Sequence, residues 1–296
     1  MIRNKHLKVF LLAVRPKTLG AAISPIMIGT SMAFSIGKGH IFSAIVCLIS
    51  AILIQIGTNF SNDYFDYIKG VDTEDRLGPS RVTQSGLMSP NTMLRNFVFV
   101  FILATLAGIY LVFRGGWPVF FIGILSITSG ILYTGGPMPL GYVGLGDIFV
   151  LIFFGPVAVC GTYYVQALEL SEEVIYAGLG PGLLATALLS VNNLRDEPTD
   201  KKSGKNTLAV RFGPDFARLE FLLAFTLAVL LPLFLAFISN GHWFSCIASL
   251  VLIPGYPAIR QIVTGVNGFE LNETLNITGK TIFLYGILFS IGWWIG

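Results

Sequence analysis

Two short stretches of this chain carry oxygen ligands at helical spacing. NFSNDYFD, residues 59–66, sets Asn59, Asn62, Asp63 and Asp66 at i, i+3, i+4 and i+7, one face of a helix. NNLRDEPTD, residues 192–200, sets Asn192, Asp196 and Asp200 at i, i+4 and i+8, the same kind of face provided the helix continues through Pro198. Asp72, Glu74 and Asp75 crowd the first stretch further. Like charges this close repel unless cations separate them. Bases follow both stretches: Lys69, Arg76 and Arg81 after the first; Arg195, Lys201, Lys202, Lys205 and Arg211 within and after the second. A solvated loop with surface ion pairs would account for one such cluster. Two alike, each with Asn leading into spaced Asp where an apolar run meets the cytosol, argue for a shared ligand. Mg²⁺ takes oxygen ligands, keeps waters, and is commonly held by one or two carboxylates together with substrate phosphates. Two facing carboxylate sets can therefore grip Mg²⁺ ions with a diphosphate between them, the bases neutralising its remaining oxygens.

The elements that must position these groups are membrane helices. Hydrophobic residues make up 54% of the chain and charged ones 12%, about half the roughly 25% usual in soluble domains. Nine uncharged apolar runs stand out, at about 18–37, 41–61, 96–113, 117–134, 147–167, 174–193, 219–238, 243–260 and 279–295. In lipid, runs of this length satisfy their backbone only as helices. The expected fold is all-α: a polytopic membrane protein of about nine transmembrane helices in one bundle, a single domain over residues 1–296, with its Asp-rich loops on the cytoplasmic side. Residues 7–14 are expected to form a short interfacial helix, and the first apolar run to be an uncleaved span. All but two of the 19 lysines and arginines, Lys38 and Arg114, fall on one side of that topology, which the positive-inside rule makes cytoplasmic.

Several other chemistries lack support. Cys47, Cys160 and Cys246 lie inside apolar runs at no metal-ligand spacing, and the three histidines are far apart. No G-x-G-x-x-G follows a strand pattern, and SGKNT at 203–207 lacks the first glycine and the hydroxyl residue of a P-loop. A nucleotide or nucleic-acid partner is not expected. A diphosphate site at the membrane surface suits a ligand with a diphosphate head and a lipid tail, such as a polyprenyl diphosphate.

At this point a resemblance becomes specific. NDYFDYIKGVD with TEDRLGPSR, and NNLRDEPTDKKSGKNTLAVRFG, resemble the two signature motifs of the UbiA superfamily of intramembrane aromatic prenyltransferases. RPKTL (15–19), DRLGPSRVTQSG (75–86), YTGGPMPLGYVGLGD (133–147) and FFGPVAVCGTYYVQ (153–166) are similar to the branch of that superfamily that prenylates 1,4-dihydroxy-2-naphthoate in menaquinone biosynthesis. The resemblance implies that Asn62, Asp63, Asp66 and Asp72 with Asn192, Asp196 and Asp200 bind Mg²⁺ and the prenyl diphosphate, Asp63, Asp66, Asp196 and Asp200 being the catalytic carboxylates. It implies loss of diphosphate, attack of the aromatic ring on the allylic cation, and release of CO₂ to give demethylmenaquinol, in a bacterial inner membrane.

In the narrower match Tyr133, Lys17 and Gln84 are acceptor-binding candidates. Tyr133 also reads as an interfacial anchor, Arg15 and Lys17 as positive-inside anchors, and Asp147 as a helix N-cap. Asn272 and Asn276 begin N-x-T sequons that mean nothing on a cytoplasmic side. Asn62 and Asn192, about 130 residues apart, hint at an internal duplication. The alternatives are a relative with another aromatic acceptor or a phytyl donor and, more distantly, a secondary transporter. A transporter usually places its ionisable groups near the bilayer midplane, unlike these.

Overall fold

The apolar runs become helices, and two of them overshoot. The computed structural model describes residues 2–71, 77–79, 81–239 and 241–296, with side chains described from Leu7 onward. Its helices are α1 (Ile2–Val14), α2 (Pro16–Ser35), α3 (Ile41–Ile68), α4 (Pro90–Gly115), α5 (Trp117–Leu132), α6 (Gly146–Ile152), α7 (Ala158–Ala167), α8 (Glu172–Lys202), α9 (Leu208–Phe212), α10 (Pro214–Ile238), α11 (Leu252–Val263) and α12 (Leu271–Ile295). A π-helical turn, Phe153–Val157, joins α6 to α7, and a 3₁₀ stretch, Trp243–Val251, leads into α11. Among the described residues there is no strand.

Among the described residues, eight helical segments are long and apolar enough to cross a membrane. The ninth run is α5, whose 16 residues reach about 24 Å at 1.5 Å per residue. The outer faces of the bundle are greasy: Phe113, Phe237 and Ile253 are all more than 70% exposed, as lipid-facing side chains must be. α1 lies outside this set, burying Ala13 and Val14 and exposing Leu7, Leu11 and Leu12. That is the expected interfacial helix, begun five residues earlier than the apolar pattern indicates.

Local chemistry sets the ends. His40 caps α3 by accepting from Ser43 N at 3.2 Å, and Ser89 caps α4 by accepting from Thr92 N at 3.2 Å, with Pro90 in the first turn. Gly116, at φ 69°, makes the reversal between α4 and α5 that a side chain would strain. At Gly155 a Cβ would stand 2.7 Å from the Gly178 carbonyl and 3.1 Å from Gly182 Cα. There the π turn of the FFGP segment crosses α8 backbone to backbone, the close approach that small residues permit in membranes.

The polar ends of α3 and α8 stay helical because the rest of the protein covers them. α3 runs past its apolar stretch to Ile68, and α8 continues through Pro198 to Lys202. Asp63, Asp66, Asp196 and Asp200 therefore ride on helix ends and are all buried. α8 packs on α10, α12 on α2 and α3 on α4. Lys38 and Arg114 sit at the far end of the bundle, where Lys38 pairs with Glu169 and Arg114 donates to the carbonyls of Val165 and Gln166.

Candidate active site

Asp63 and Asp66 are neighbours on α3, each 1% exposed, and they do different things. Asp63 anchors a loop. Its Oδ2 accepts from Val82 N and its Oδ1 from Thr83 N, both at 3.0 Å, while Arg15 Nη2 stands 3.9 Å from Oδ2. Both Asp63 oxygens are thus committed to the backbone of the segment that delivers Arg81. Asp66, one turn further along, meets side chains instead of backbone. Arg81 Nη2 donates to its Oδ2 at 2.8 Å and the Tyr142 hydroxyl to its Oδ1 at 2.5 Å.

Tyr142, in the turn between α5 and α6, is the residue that sequence reasoning missed. Lys69 Nζ and Lys205 Nζ lie 5.0 and 4.9 Å from its ring centroid, within cation–π range, and its carbonyl accepts from Asn206 N at 2.7 Å. One tyrosine thereby joins the end of the first motif to the loop after the second. The signal was present in YTGGPMPLGY, where attention falls on Tyr133 instead. Lys69 also donates to the carbonyls of Thr134 and Gly136, at 2.7 and 3.0 Å. Partial burial pulls its amine down from the ordinary lysine value, with Asp66 opposing. Thr134 Oγ1 donates to Asn62 Oδ1 at 2.9 Å.

The second motif is organised by Arg195, buried at 2% exposure. Its Nε and Nη2 grip Asp196 Oδ1 and Oδ2 at 2.8 and 2.6 Å, its Nη2 also reaches Asn192 Oδ1 at 2.8 Å, and its Nη1 reaches Asn272 Oδ1 at 2.8 Å. A Cβ on Gly78 would lie 2.7 Å from Arg195 Nη2, so the guanidinium rests against the backbone of the 77–79 segment. Asn272 completes the tie by donating to the Leu77 carbonyl at 3.0 Å. With four of its hydrogen bonds made inside the protein, Arg195 holds the two motif regions together rather than presenting its charge to a ligand. Asn272, met in the sequence only as an irrelevant sequon, is a junction.

Asp200 is less engaged, with Lys205 Nζ 3.4 Å from its Oδ1. Tyr133, half-buried in the cavity wall, lies near carboxylates of both motifs. Burial and then the carboxylates of Asp147, Asp200 and Asp66 push its phenol up from the ordinary value, so it stays protonated. Asp147 lies within the first turn of α6, which begins at Gly146, so it is not the N-cap. The cap position belongs to Leu145, and Asp147 Oδ1 has no hydrogen-bond partner among the described residues. Lys17 and Lys201 are exposed, and Gln84 is half-buried next to Thr83. Lys17 points away while its neighbours Arg15 and Thr18 face α3. Arg211 is exposed and donates to the Val143 carbonyl at 3.1 Å. Asp72 and Arg76 lie outside the described residues.

Beneath the motifs a cavity of about 680 Å³ opens among α2, α3, α4, α5 and α7. Asn62 and Tyr133 line it at the motif end, and Ile54, Phe153 and Val165 are among its mostly apolar walls. Among the described residues, Asn62 is the motif group in its wall; Asp66 and Asp200 stand close enough to the lining Tyr133 to act on its phenol, and Asp196 adjoins Asp200, so the motif groups nearest that end are oxygen donors. Such groups suit a hard divalent cation that keeps waters and shares phosphate oxygens. Among the described residues no three His, Cys, Asp or Glu side chains stand close enough to cage a metal alone.

Fold and site together define a polytopic helical membrane protein with two buried carboxylate motifs near one end of a mostly apolar cavity. The chain belongs to the UbiA prenyltransferase family, whose model matches residues 22–267. It is 35% identical to a 1,4-dihydroxy-2-naphthoate octaprenyltransferase of Haemophilus influenzae, over 99% of this chain and 98% of the relative. Enzymes of the same description from Escherichia coli and Mycobacterium tuberculosis are each 37% identical, over 96% and 92% of this chain and 94% and 92% of theirs. Among solved structures, a UbiA homolog from Archaeoglobus fulgidus superposes with a TM-score of 0.68 at 16% identity, covering 96% of this chain and 99% of that one. The same homolog bound to DMAPP and Mg²⁺ gives 0.64 at 17% identity, covering 95% of this chain and 99% of that one. At these identities the likeness establishes the fold.

Proposed function

We propose that this chain transfers a polyprenyl group from polyprenyl diphosphate to 1,4-dihydroxy-2-naphthoate, with loss of diphosphate and CO₂, giving demethylmenaquinol. The observation that carries the reading is that Asp66 of α3 and Asp200 of α8 both act on Tyr133, which with Asn62 lines one end of an apolar cavity. The naphthoate octaprenyltransferases at 35–37% identity over nearly the whole chain support the acceptor. A prenyl tail lies in the cavity, and its diphosphate sits at the polar mouth.

In this reading Asn62, Asp66, Asn192, Asp196 and Asp200 hold Mg²⁺, with Asp72, from the first motif's sequence, a further ligand. When bound, the metal supplies positive charge to the departing diphosphate. Lys69, Arg81 and Lys205 line that mouth and neutralise the remaining charge, each already paired with a carboxylate or a tyrosine ring and so held in place. Lys201 and Arg211 add positive charge at the surface, and Arg76 is a further diphosphate-binding candidate by its place in the sequence. Asp63 secures the 82–83 backbone, and Arg195 aligns Asp196. Tyr133, kept as a neutral phenol, and Gln84 face the acceptor, while Lys17 attracts the acceptor carboxylate at the surface. The cavity excludes water from the allylic cation until the ring attacks. The chain acts as one domain in a bacterial inner membrane, with the motif end toward the cytoplasm.

Turnover by purified protein with 1,4-dihydroxy-2-naphthoate, a polyprenyl diphosphate and Mg²⁺, with and without EDTA, tests the reading. A prenylated, decarboxylated naphthoquinol formed only with free metal is the expected product. Turnover of another phenol but not of the naphthoate would move the acceptor, and a folded protein inactive with every acceptor would sink the enzyme reading.

A further inference from the structure

Below Asn62, the same face of α3 carries two more amides, Asn59 and Gln55, that line the cavity deeper among the apolar side chains. They bond to each other and to Thr18 of α2, and the chemistry of the partners sets the direction of each bond. A backbone carbonyl only accepts, so the group 2.9 Å from the Val14 carbonyl is the Asn59 amide nitrogen. Asn59 Nδ2 also donates to Thr18 Oγ1 at 3.0 Å, and Thr18 gives its one proton to the Arg15 carbonyl at 3.0 Å. The Asn59 carbonyl must then turn to Gln55, which presents Nε2 to it at 3.4 Å and to Thr18 Oγ1 at 3.3 Å. Every proton in this set points inward to a protein acceptor. The Gln55 carbonyl, Oε1, is left at the open end, and no donor among the described residues hydrogen-bonds to it.

Gln55 is only 9% exposed, and it forms part of the cavity wall. A carbonyl that faces an apolar cavity without a partner is costly once a ligand displaces water there, and a polyprenyl chain brings no donor to relieve it. An aromatic diol does. We propose that Gln55 Oε1 accepts a hydrogen bond from a phenolic O–H of the aromatic acceptor, and that Gln55 is the residue by which the cavity distinguishes a hydroxylated ring from a hydrocarbon chain. The inference rests on the prenyl-transfer reading. Seven residues of helix separate Gln55 from Asn62, about 10 Å along the axis, so the ring lies between this carbonyl and the diphosphate. A hydrogen bond accepted from the hydroxyl also raises electron density on the ring, which favours its attack on a cation. A site built to bond a hydroxyl rejects the analogue that lacks it, because its own polar group is then left unpaired.

The test compares wild type, Gln55→Leu and the longer Gln55→Met. Each is titrated with 1,4-dihydroxy-2-naphthoate, 1-hydroxy-2-naphthoate and 4-hydroxy-2-naphthoate, following naphthoate fluorescence, with prenyl diphosphate binding as the control for folding. Wild type is expected to bind the diol about tenfold more tightly than at least one mono-ol. Both variants should lose that preference, with about a tenfold higher KM for the diol and an unchanged KM for the prenyl diphosphate. A preference that survives in both variants, or is missing from wild type, overturns the assignment. If wild type binds prenyl diphosphate but no naphthoate, the naphthoate reading fails by itself. The assignment of Gln55 is then decided by the same comparison with 4-hydroxybenzoate against benzoate, where an equal ratio in wild type and variants overturns it.

Discussion

The phenol oxygen of Tyr142 lies 2.5 Å from Asp66 Oδ1, and the ring beneath it carries the ammonium groups of both Lys69 and Lys205. A hydroxyl bonded to a carboxylate at this distance is a charge-assisted contact, about twice as strong as a neutral one. The pair joins the end of α3 to the loop after α8 through a turn that carries neither motif. Tyr142→Phe keeps the ring under the two lysines and deletes the donor to Asp66. Turnover is expected to fall about 10-fold or more, from a loss of roughly 1.5–3 kcal/mol. Tyr142→Leu, which also removes the ring, should raise KM for prenyl diphosphate further. Equal kinetics for Phe and wild type would show that the hydroxyl is dispensable.

Asp63 and Asp66 should separate into stability and activity. Asp66→Asn, isosteric and still able to accept from Arg81, is expected to abolish turnover with a smaller change in thermal unfolding in detergent than Asp63→Ala. Asp63→Ala strips two backbone N–H groups of their acceptor, and leaving buried donors unpaired costs about 1–3 kcal/mol each. Its main effect should therefore be a clearly lower unfolding midpoint. Matching profiles in the two variants would remove the distinction.

Arg195 is expected to behave as a buried strut. Arg195→Met leaves Asp196 buried without its partner, and breaking such a pair costs about 3–5 kcal/mol. Lysine cannot reproduce the two-pronged grip on Asp196, so Arg195→Lys should rescue little. Asn272→Ala loses the contacts to Arg195 and to the Leu77 carbonyl and should destabilise less, about 1–2 kcal/mol. Unfolding midpoints in one detergent rank the three; Asn272→Ala ranking below Arg195→Met would contradict the arrangement.

Sidedness is open to chemical labelling. In a background without native cysteines, Lys38→Cys should react with a membrane-impermeant thiol reagent on intact cells, and Ser85→Cys only after permeabilisation. The reverse pattern would invert the topology.

The nine apolar runs, the all-helical class and the ends of the bundle at which charge collects were legible in the sequence. Each follows from local composition, because lipid leaves an apolar chain of that length one way to satisfy its backbone. The helical spacing of Asn62 with Asp66 and of Asn192 with Asp196 was equally local, and so was the resemblance carried by those letters. Which carboxylate does what was not. Asp63 and Asp66 are three residues apart in the same motif, yet one is consumed by the backbone of Val82 and Thr83 while the other meets Arg81 and Tyr142. That division depends on where a loop 15 to 20 residues further on returns to the helix. Arg195 looked like a ligand for diphosphate because it is a base beside an acid, and it is a strut because Asn272, 77 positions away, closes on its free edge. The open carbonyl of Gln55 is the outcome of a chain of bonds that starts at Val14 and passes through Thr18 and Asn59. Hydrogen-bond direction is a property of the assembled partners, so only the packing of α2 on α3 could decide it.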